Sequence, residues 1–172
     1  NSGEKVIATH IFKPQVTKGT AILLHGYFDH SGVWKHVIKA MVARGYTVAL
    51  YDQPGHGLSS GDRASINDFS EYVSVLEKFL HLAKSNLPEP HHIVAHSMGG
   101  AVALDYLLKV QQESSGRVVL IAPLVRSSHW NLSRFGHSLG KHLTDSMERV
   151  YPETSSDQEF LEFTKNDPLQ EK

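Results

Sequence analysis

One stretch restricts the fold more than any other: His91-His92-Ile93-Val94-Ala95-His96-Ser97-Met98-Gly99-Gly100-Ala101-Val102-Ala103-Leu104. It opens as a short apolar strand, turns sharply at Ser97 and continues as a helix. A serine at the apex of such a turn is a candidate nucleophile, because the turn holds its hydroxyl clear of the backbone. The positions two before and two after the serine are pressed together, so they demand small residues, and Ala95 and Gly99 supply them. The usual pattern has glycine at both, and Ala95 adds only a methyl group. The alternative for Ser97 is an ordinary helix N-cap after a strand.

The rest of the chain supplies a sheet for this turn to belong to. Lys5 to Phe12 reads as a strand, with Val6, Ala8 and His10 on one face and Ile7, Thr9 and Ile11 on the other, closed by Pro14 and Gly19. Thr20 to Leu24 is a continuous apolar run, as expected of a strand buried on both faces of a parallel sheet. A helical stripe of Trp34, Val37, Ile38 and Met41 follows, with Gly45 at its stop. Tyr46 to Tyr51 is the next strand. Ser65 with Asp68 predicts a helix start. The helix after it buries Phe69, Tyr72, Val73, Leu76, Phe79, Leu80 and Ala83, and Pro88 and Pro90 end it. After the Ser97 helix, with Val102, Tyr106, Leu107 and Val110 inward, Arg117 to Ala122 reads as another buried strand closed by Pro123. Strands alternating with helices predict an α/β fold with parallel crossovers.

From Leu124 the pattern changes. Leu132, Phe135, Leu139, Leu143, Met147 and Val150 fall at helical spacing, and Phe160, Leu161 and Phe163 suggest a second helix. Residues 1–123 therefore read as the sheet-bearing core and 124–172 as a helical excursion over it. The apolar stripe from Leu132 to Val150 either packs on the sheet or, with Trp130 at its margin, touches a lipid surface.

At 172 residues with 40% apolar content the chain has the length and composition of one globular domain. A formal net charge of −1 carries no electrostatic footprint for nucleic acid. With no cysteine, disulfides, thiolate metal sites and a cysteine nucleophile are excluded. That is compatible with a cytoplasmic location, as are the lack of a signal-peptide pattern and of an apolar run near the roughly 20 residues of a membrane span.

In open α/β sheets the working site lies at the C-terminal ends of the strands. Three loops there carry special residues: His25-Gly26-Tyr27, Asp52-Gln53-Pro54-Gly55-His56-Gly57, and the Ser97 elbow. A serine attacking an ester carbonyl creates an oxyanion, which needs hydrogen-bond donors already in place. The Met98 amide, at a helix N-terminus, is one candidate, and the Tyr27 amide is the other, with Gly26 allowing close backbone approach. His25 reads as structural, holding that loop, and Asp52 as an acceptor of backbone amides. His56 between glycines reads as shaping its turn, and His96 as pointing away from Ser97 into packing.

Twelve histidines raise the question of a metal, but no His-Glu-x-x-His is present. His91 and His92 open a strand and face opposite ways. Gly55 and Gly57 lack the spacing of a dinucleotide site. No metal or cofactor is expected.

Ala-His-Ser-Met-Gly-Gly at 95–100, His-Gly-Tyr at 25–27 and Asp-Gln-Pro-Gly-His-Gly at 52–57 resemble the serine α/β-hydrolases. Within that superfamily the chain is most similar to the monoacylglycerol lipase and lysophospholipase group, and Asn166-Asp167-Pro168-Leu169 extends the likeness nearly to its end. The resemblance implies an α/β-hydrolase fold, mostly parallel, with a helical cap that shapes a channel for an acyl chain. It implies ester hydrolysis through Ser97, a lipid ester such as a lysophospholipid or monoacylglycerol as substrate, and transient membrane-surface contact through the cap.

It also implies an Asp and then a His on loops after two further strands, and no residue here matches either. Asp145, Asp157 or Asp167 with His129, His137 or His142 lie in the cap and are not expected to replace them. The chain therefore reads as a piece of a longer enzyme, since a six-stranded half-sheet would leave its last strand as an unpaired apolar edge. Two other functions stay open: a non-catalytic hydrolase-fold protein binding lipid or a protein partner, and another serine hydrolase, such as a thioesterase or aminopeptidase.

Overall fold

The computed structural model describes residues 5–110, 116–126 and 155–170. Five strands, β1 (Thr9–Phe12), β2 (Thr20–Leu24), β3 (Thr47–Tyr51), β4 (His91–His96) and β5 (Val118–Ile121), lie in the spatial order β1-β3-β2-β4-β5. β1 is antiparallel to β3 and the other pairs are parallel. Every residue of β2 and β3 is buried, which is why both read as unbroken apolar runs.

Alternation along these strands sorts the core into two layers. Ile22, Leu24, Ala49, Tyr51, Ile93 and Ala95 face α2 (Ser70–Asn86) and α3 (Ser97–Val110), meeting Tyr72, Leu76, Leu80, Val102 and Tyr106. Ala21, Leu23, Val48, Leu50 and Val94 face the other way, onto Trp34 and the Val37, Ile38 and Met41 stripe of α1 (Lys35–Ala43). The helices thus cover both sides of the sheet, as an α/β-hydrolase fold requires.

Several expectations need correcting. The sheet has five strands among the described residues, not six. The first strand is shorter than Lys5 to Phe12, and Val6 is exposed. Ser65 does not cap α2: that helix begins at Ser70, too far along, and the Asp68 carboxylate accepts from the Ser70 amide at 2.8 Å instead. Phe69 stands just ahead of the helix and is exposed.

β5 is not a buried strand. Val118 and Leu120 pack inward, but Val119 and Ile121 are 49% and 43% exposed, because no described element covers that face beyond β4. Among the described residues β5 is the last strand of the sheet, paired with β4, so the expectation of a strand buried on both faces is not met.

In the 124–172 region, α4 (Gln158–Asn166) is the helix suggested by Phe160, Leu161 and Phe163. Asp157 caps it, accepting from the Phe160 amide at 3.1 Å. The Leu132 to Val150 stripe, Trp130, Asp145 and the histidines at 129, 137 and 142 lie outside the described residues. No described helix is long and apolar enough to cross a membrane.

Candidate active site

Strand register brings the three loops together. Leu24 pairs with Ala95, and Leu23 with Leu50. All three strands run parallel, so His25-Gly26, His96-Ser97 and Tyr51-Asp52 leave the same edge side by side. A methyl group built on Gly26 would sit 3.3 Å from the Ser97 Cβ. The loop carrying Tyr27 therefore lies against the serine.

Ser97 is half-buried and has φ of 49°. A non-glycine residue in this region is strained by about 1–3 kcal/mol and persists only where its surroundings impose it. Here they do. A Cβ on Gly99 would stand 2.6 Å from the His25 carbonyl oxygen and 2.7 Å from that of Leu24, so the position two after the serine has no room for a methyl group. Ala95 is fully buried in β4 and its methyl is accommodated. The Ser97 carbonyl accepts from the Leu124 amide at 2.9 Å, tying the elbow to the segment after β5. Met98 is the second residue of α3, ahead of the first intrahelical amide bond, at the positive end of the helix dipole.

The facing loop is held from several directions. Phe28 has φ of 65°, a second strained residue. The Tyr27 hydroxyl donates to the Ala64 carbonyl, and its ring meets His56 edge-on at 5.4 Å. Asp52, 1% exposed, accepts from the Ser31 amide at 2.7 Å and the Leu58 amide at 2.9 Å. It thereby joins the loop after β2 to the loop after β3. Burial pushes its carboxyl up, but the hydrogen bonds from Leu58 and Ser31 outweigh that and hold it below the usual carboxylate range. His56, fully buried, donates from Nδ1 to the Pro54 carbonyl at 3.0 Å and shapes its turn. His96 is half-buried, with its ring against Gly26 and not in the core.

His25 is structural in its geometry. Its Nε2 accepts from the Gln53 amide at 2.8 Å, so the ring proton sits on Nδ1 and is donated to the Gly26 carbonyl at 2.7 Å. Burial lowers its pKa to about 4, and at neutral pH it is uncharged. An unfolded chain would protonate it near 6.5. Between these two values the unfolded state binds the extra proton, so stability is full above about 6.5 and falls as pH drops toward 4. We expect a loss of about 2 kcal/mol between pH 8 and pH 5 from this residue alone. Urea unfolding at both pH values, compared with His25→Gln, checks it: the variant should lose that much of the pH dependence.

One pair escaped the sequence reading. His30 Nε2 lies 2.9 Å from Asp167 Oδ2, with both side chains 7% exposed. In the sequence Asp167 stands near His129, His137 and His142 and far from His30. Nothing local links it to His30, 137 residues away. The pair resembles the acid and base of a proton shuttle, but both imidazole nitrogens are engaged, Nε2 by Asp167 and Nδ1 by the Gly32 amide at 3.1 Å. A cavity of about 650 Å³ adjoins it, lined by Phe12, Leu50 and Phe163 among others. Ser97, Tyr27 and Met98 are not among its lining residues.

The family described as serine aminopeptidase, S33, matches residues 15–172. A monoacylglycerol lipase of Mycolicibacterium smegmatis is 34% identical over 111 residues, covering 64% of this chain and 39% of that protein. Human monoglyceride lipase is 29% identical over 137 residues, covering 78% and 45%. The crystal structure of Paleococcus ferrophilus monoacylglycerol lipase superposes with a TM-score of 0.77 at 22% identity, over 96% of this chain and 64% of that one. The match thus spans under half the length of each of these two lipases.

Proposed function

The chain belongs to the family described as serine aminopeptidase, S33, and from that premise we propose that the protein is a serine hydrolase of carboxylic esters. Ser97 is the nucleophile in this reading. Its Oγ bonds to the acyl carbon, and the carbonyl electron pair moves onto oxygen, where the Tyr27 and Met98 amides hold the negative charge. Collapse of that intermediate breaks the ester C–O bond, and the departing alkoxide takes the proton that came from Ser97. Water then attacks the acyl-enzyme by the same route and releases the acid.

The proton shuttle is an Asp–His pair, which we place beyond Lys172. Supporting this, the relatives are longer than this chain, and His30–Asp167 has no imidazole nitrogen to spare. Residues 1–123 form the start of the hydrolase core and 124–172 the start of its cap. The observation that carries the reading is the strained Ser97, pressed by strand register against the Gly26–Tyr27 loop.

We place the substrate among monoacylglycerols and lysophospholipids, because the relatives include monoacylglycerol lipases and a phospholipase of Bacillus subtilis. Contact with a lipid surface through the cap fits such substrates. The family description favours a second reading, removal of an amino-terminal residue. A panel of monooleoylglycerol, lysophosphatidylcholine, an acyl thioester and an aminoacyl anilide, given to the full-length protein, separates them. We expect kcat/KM for a lipid ester to exceed that for the anilide by about 100-fold or more. Faster cleavage of the anilide would overturn the ester reading.

A further inference from the structure

The loop that faces Ser97 is gripped from the far end of the chain. Asp167, at the C-terminal end of α4, is 8% exposed, and both its carboxylate oxygens are used. Oδ1 accepts from the Leu169 amide at 2.9 Å, and Oδ2 accepts from His30 Nε2 at 2.9 Å. Three residues on, Gln170 is 4% exposed, and its Nε2 donates to Asp29 Oδ1 at 3.2 Å. Two consecutive residues of the loop, Asp29 and His30, are thus held by one short segment after α4.

These are the residues that anchor the strained part of the loop. The Asp29 amide donates to the Gly26 carbonyl at 3.3 Å, closing a turn around Tyr27 and Phe28, whose φ is 65°. The other face of the His30 ring caps the next turn, with Nδ1 accepting from the Gly32 amide at 3.1 Å. Ser31 is fixed in turn by Asp52. A residue held in the left-handed region relaxes unless both flanks are pinned. On the N-terminal flank the pin is His25, through the Gly26 carbonyl. On the C-terminal flank it is Asp29 and His30. A buried carboxylate accepting two N–H donors is a stiff anchor, because charge strengthens both bonds. Truncating it would leave the His30 Nε2–H without its acceptor in a buried site and free the ring to turn away from Gly32.

We propose that Asp167 is a positioning residue for the oxyanion side of the site. Acting through His30, and seconded by Gln170 on Asp29, it holds the turn that aims the Tyr27 amide at the carbonyl oxygen of the reacting ester. The segment after α4 is then a brace whose docking completes the site. This rests on the hydrolase reading above. A loop displaced by even an ångström weakens binding of the transition-state oxyanion far more than binding of the substrate. The signature is a fall in kcat with little change in KM.

The test uses the full-length protein and its Asp167→Ala, Asp167→Asn and Gln170→Ala variants. Imidazole nitrogen NMR reports His30 directly, and ester turnover reports the site. In the unaltered protein His30 should be the Nε2–H tautomer with a slowly exchanging ring proton. Asp167→Ala should lose that signal and lower kcat by about 10- to 100-fold, with KM within about threefold. Asp167→Asn, which keeps an oxygen toward His30, should recover part of kcat. Gln170→Ala should cause a smaller fall of the same kind, and these last two carry the test if Asp167→Ala fails to fold. Unchanged kcat in all the variants that fold would overturn the proposal. So would losses that only track the folded fraction. An unaltered protein that turns over no ester, yet shows the His30 signal, overturns the hydrolase reading and the positioning role with it. An active protein indifferent to these changes overturns the positioning role alone.

Discussion

Ser97→Ala should lower kcat for ester hydrolysis by about 10⁴- to 10⁶-fold, with the fold intact. The size follows from what the side chain supplies. Without Oγ no covalent bond to the acyl carbon can form, and what survives is the contribution of the oxyanion donors and of substrate binding. The fold should tolerate the change, because alanine keeps the Cβ that already sits at φ 49° and adds no new strain. Among the described residues no hydrogen bond that shapes the elbow involves the hydroxyl; the tie to Leu124 uses the Ser97 carbonyl. Circular dichroism and urea midpoints within about 1 kcal/mol of the parent would confirm that only chemistry was removed. Retention of more than a tenth of the turnover would show that another group does the work.

The second large effect is steric. Gly99→Ala should destabilise the protein by about 3 kcal/mol or more and remove activity along with it. The added methyl would overlap two backbone oxygens, those of Leu24 and His25, at 2.7 and 2.6 Å. Neither is the end of a flexible side chain. To make room, α3 must lift from the β2–loop junction, and that junction carries Gly26 and Tyr27. Ala95→Gly is the matched control. It deletes a buried methyl from a strand and should cost only about 1 kcal/mol, with the site in place. Urea unfolding of both variants measures the contrast. Equal, small costs would mean that the elbow is looser than these contacts indicate.

What could be read from the sequence follows from how local each signal is. Strands β2 and β3 are legible because every residue in them is buried, and β4 because its Ile93-Val94-Ala95 centre is an unbroken apolar run. Once their order and direction are known, the meeting of the His25, Asp52 and Ser97 loops at one edge follows, so the place of the candidate site is legible as well. Asp52 behaved as read, as an acceptor of amides, because a short carboxylate in a glycine-rich loop has few other partners.

The losses came where the answer lies elsewhere in the chain. Val118 to Ile121 is as apolar as a central strand, yet whether its outer face is covered depends on a neighbour its own residues do not specify. Ser65 does not act as the cap because helix α2 starts at Ser70 with Phe69 ahead of it, and a cap acts only within the first turn; the nearby Asp68 carboxylate accepts from the Ser70 amide. The His30–Asp167 contact joins residues with no shared periodicity or motif.

Everything proposed for this site depends on the strained serine at the end of β4 being the reacting group. The most direct measurement is labelling of the full-length protein with a fluorophosphonate, followed by peptide mass mapping. A single adduct is expected on Ser97, absent from Ser97→Ala. An adduct on any other residue, or equal labelling of Ser97→Ala, would contradict it.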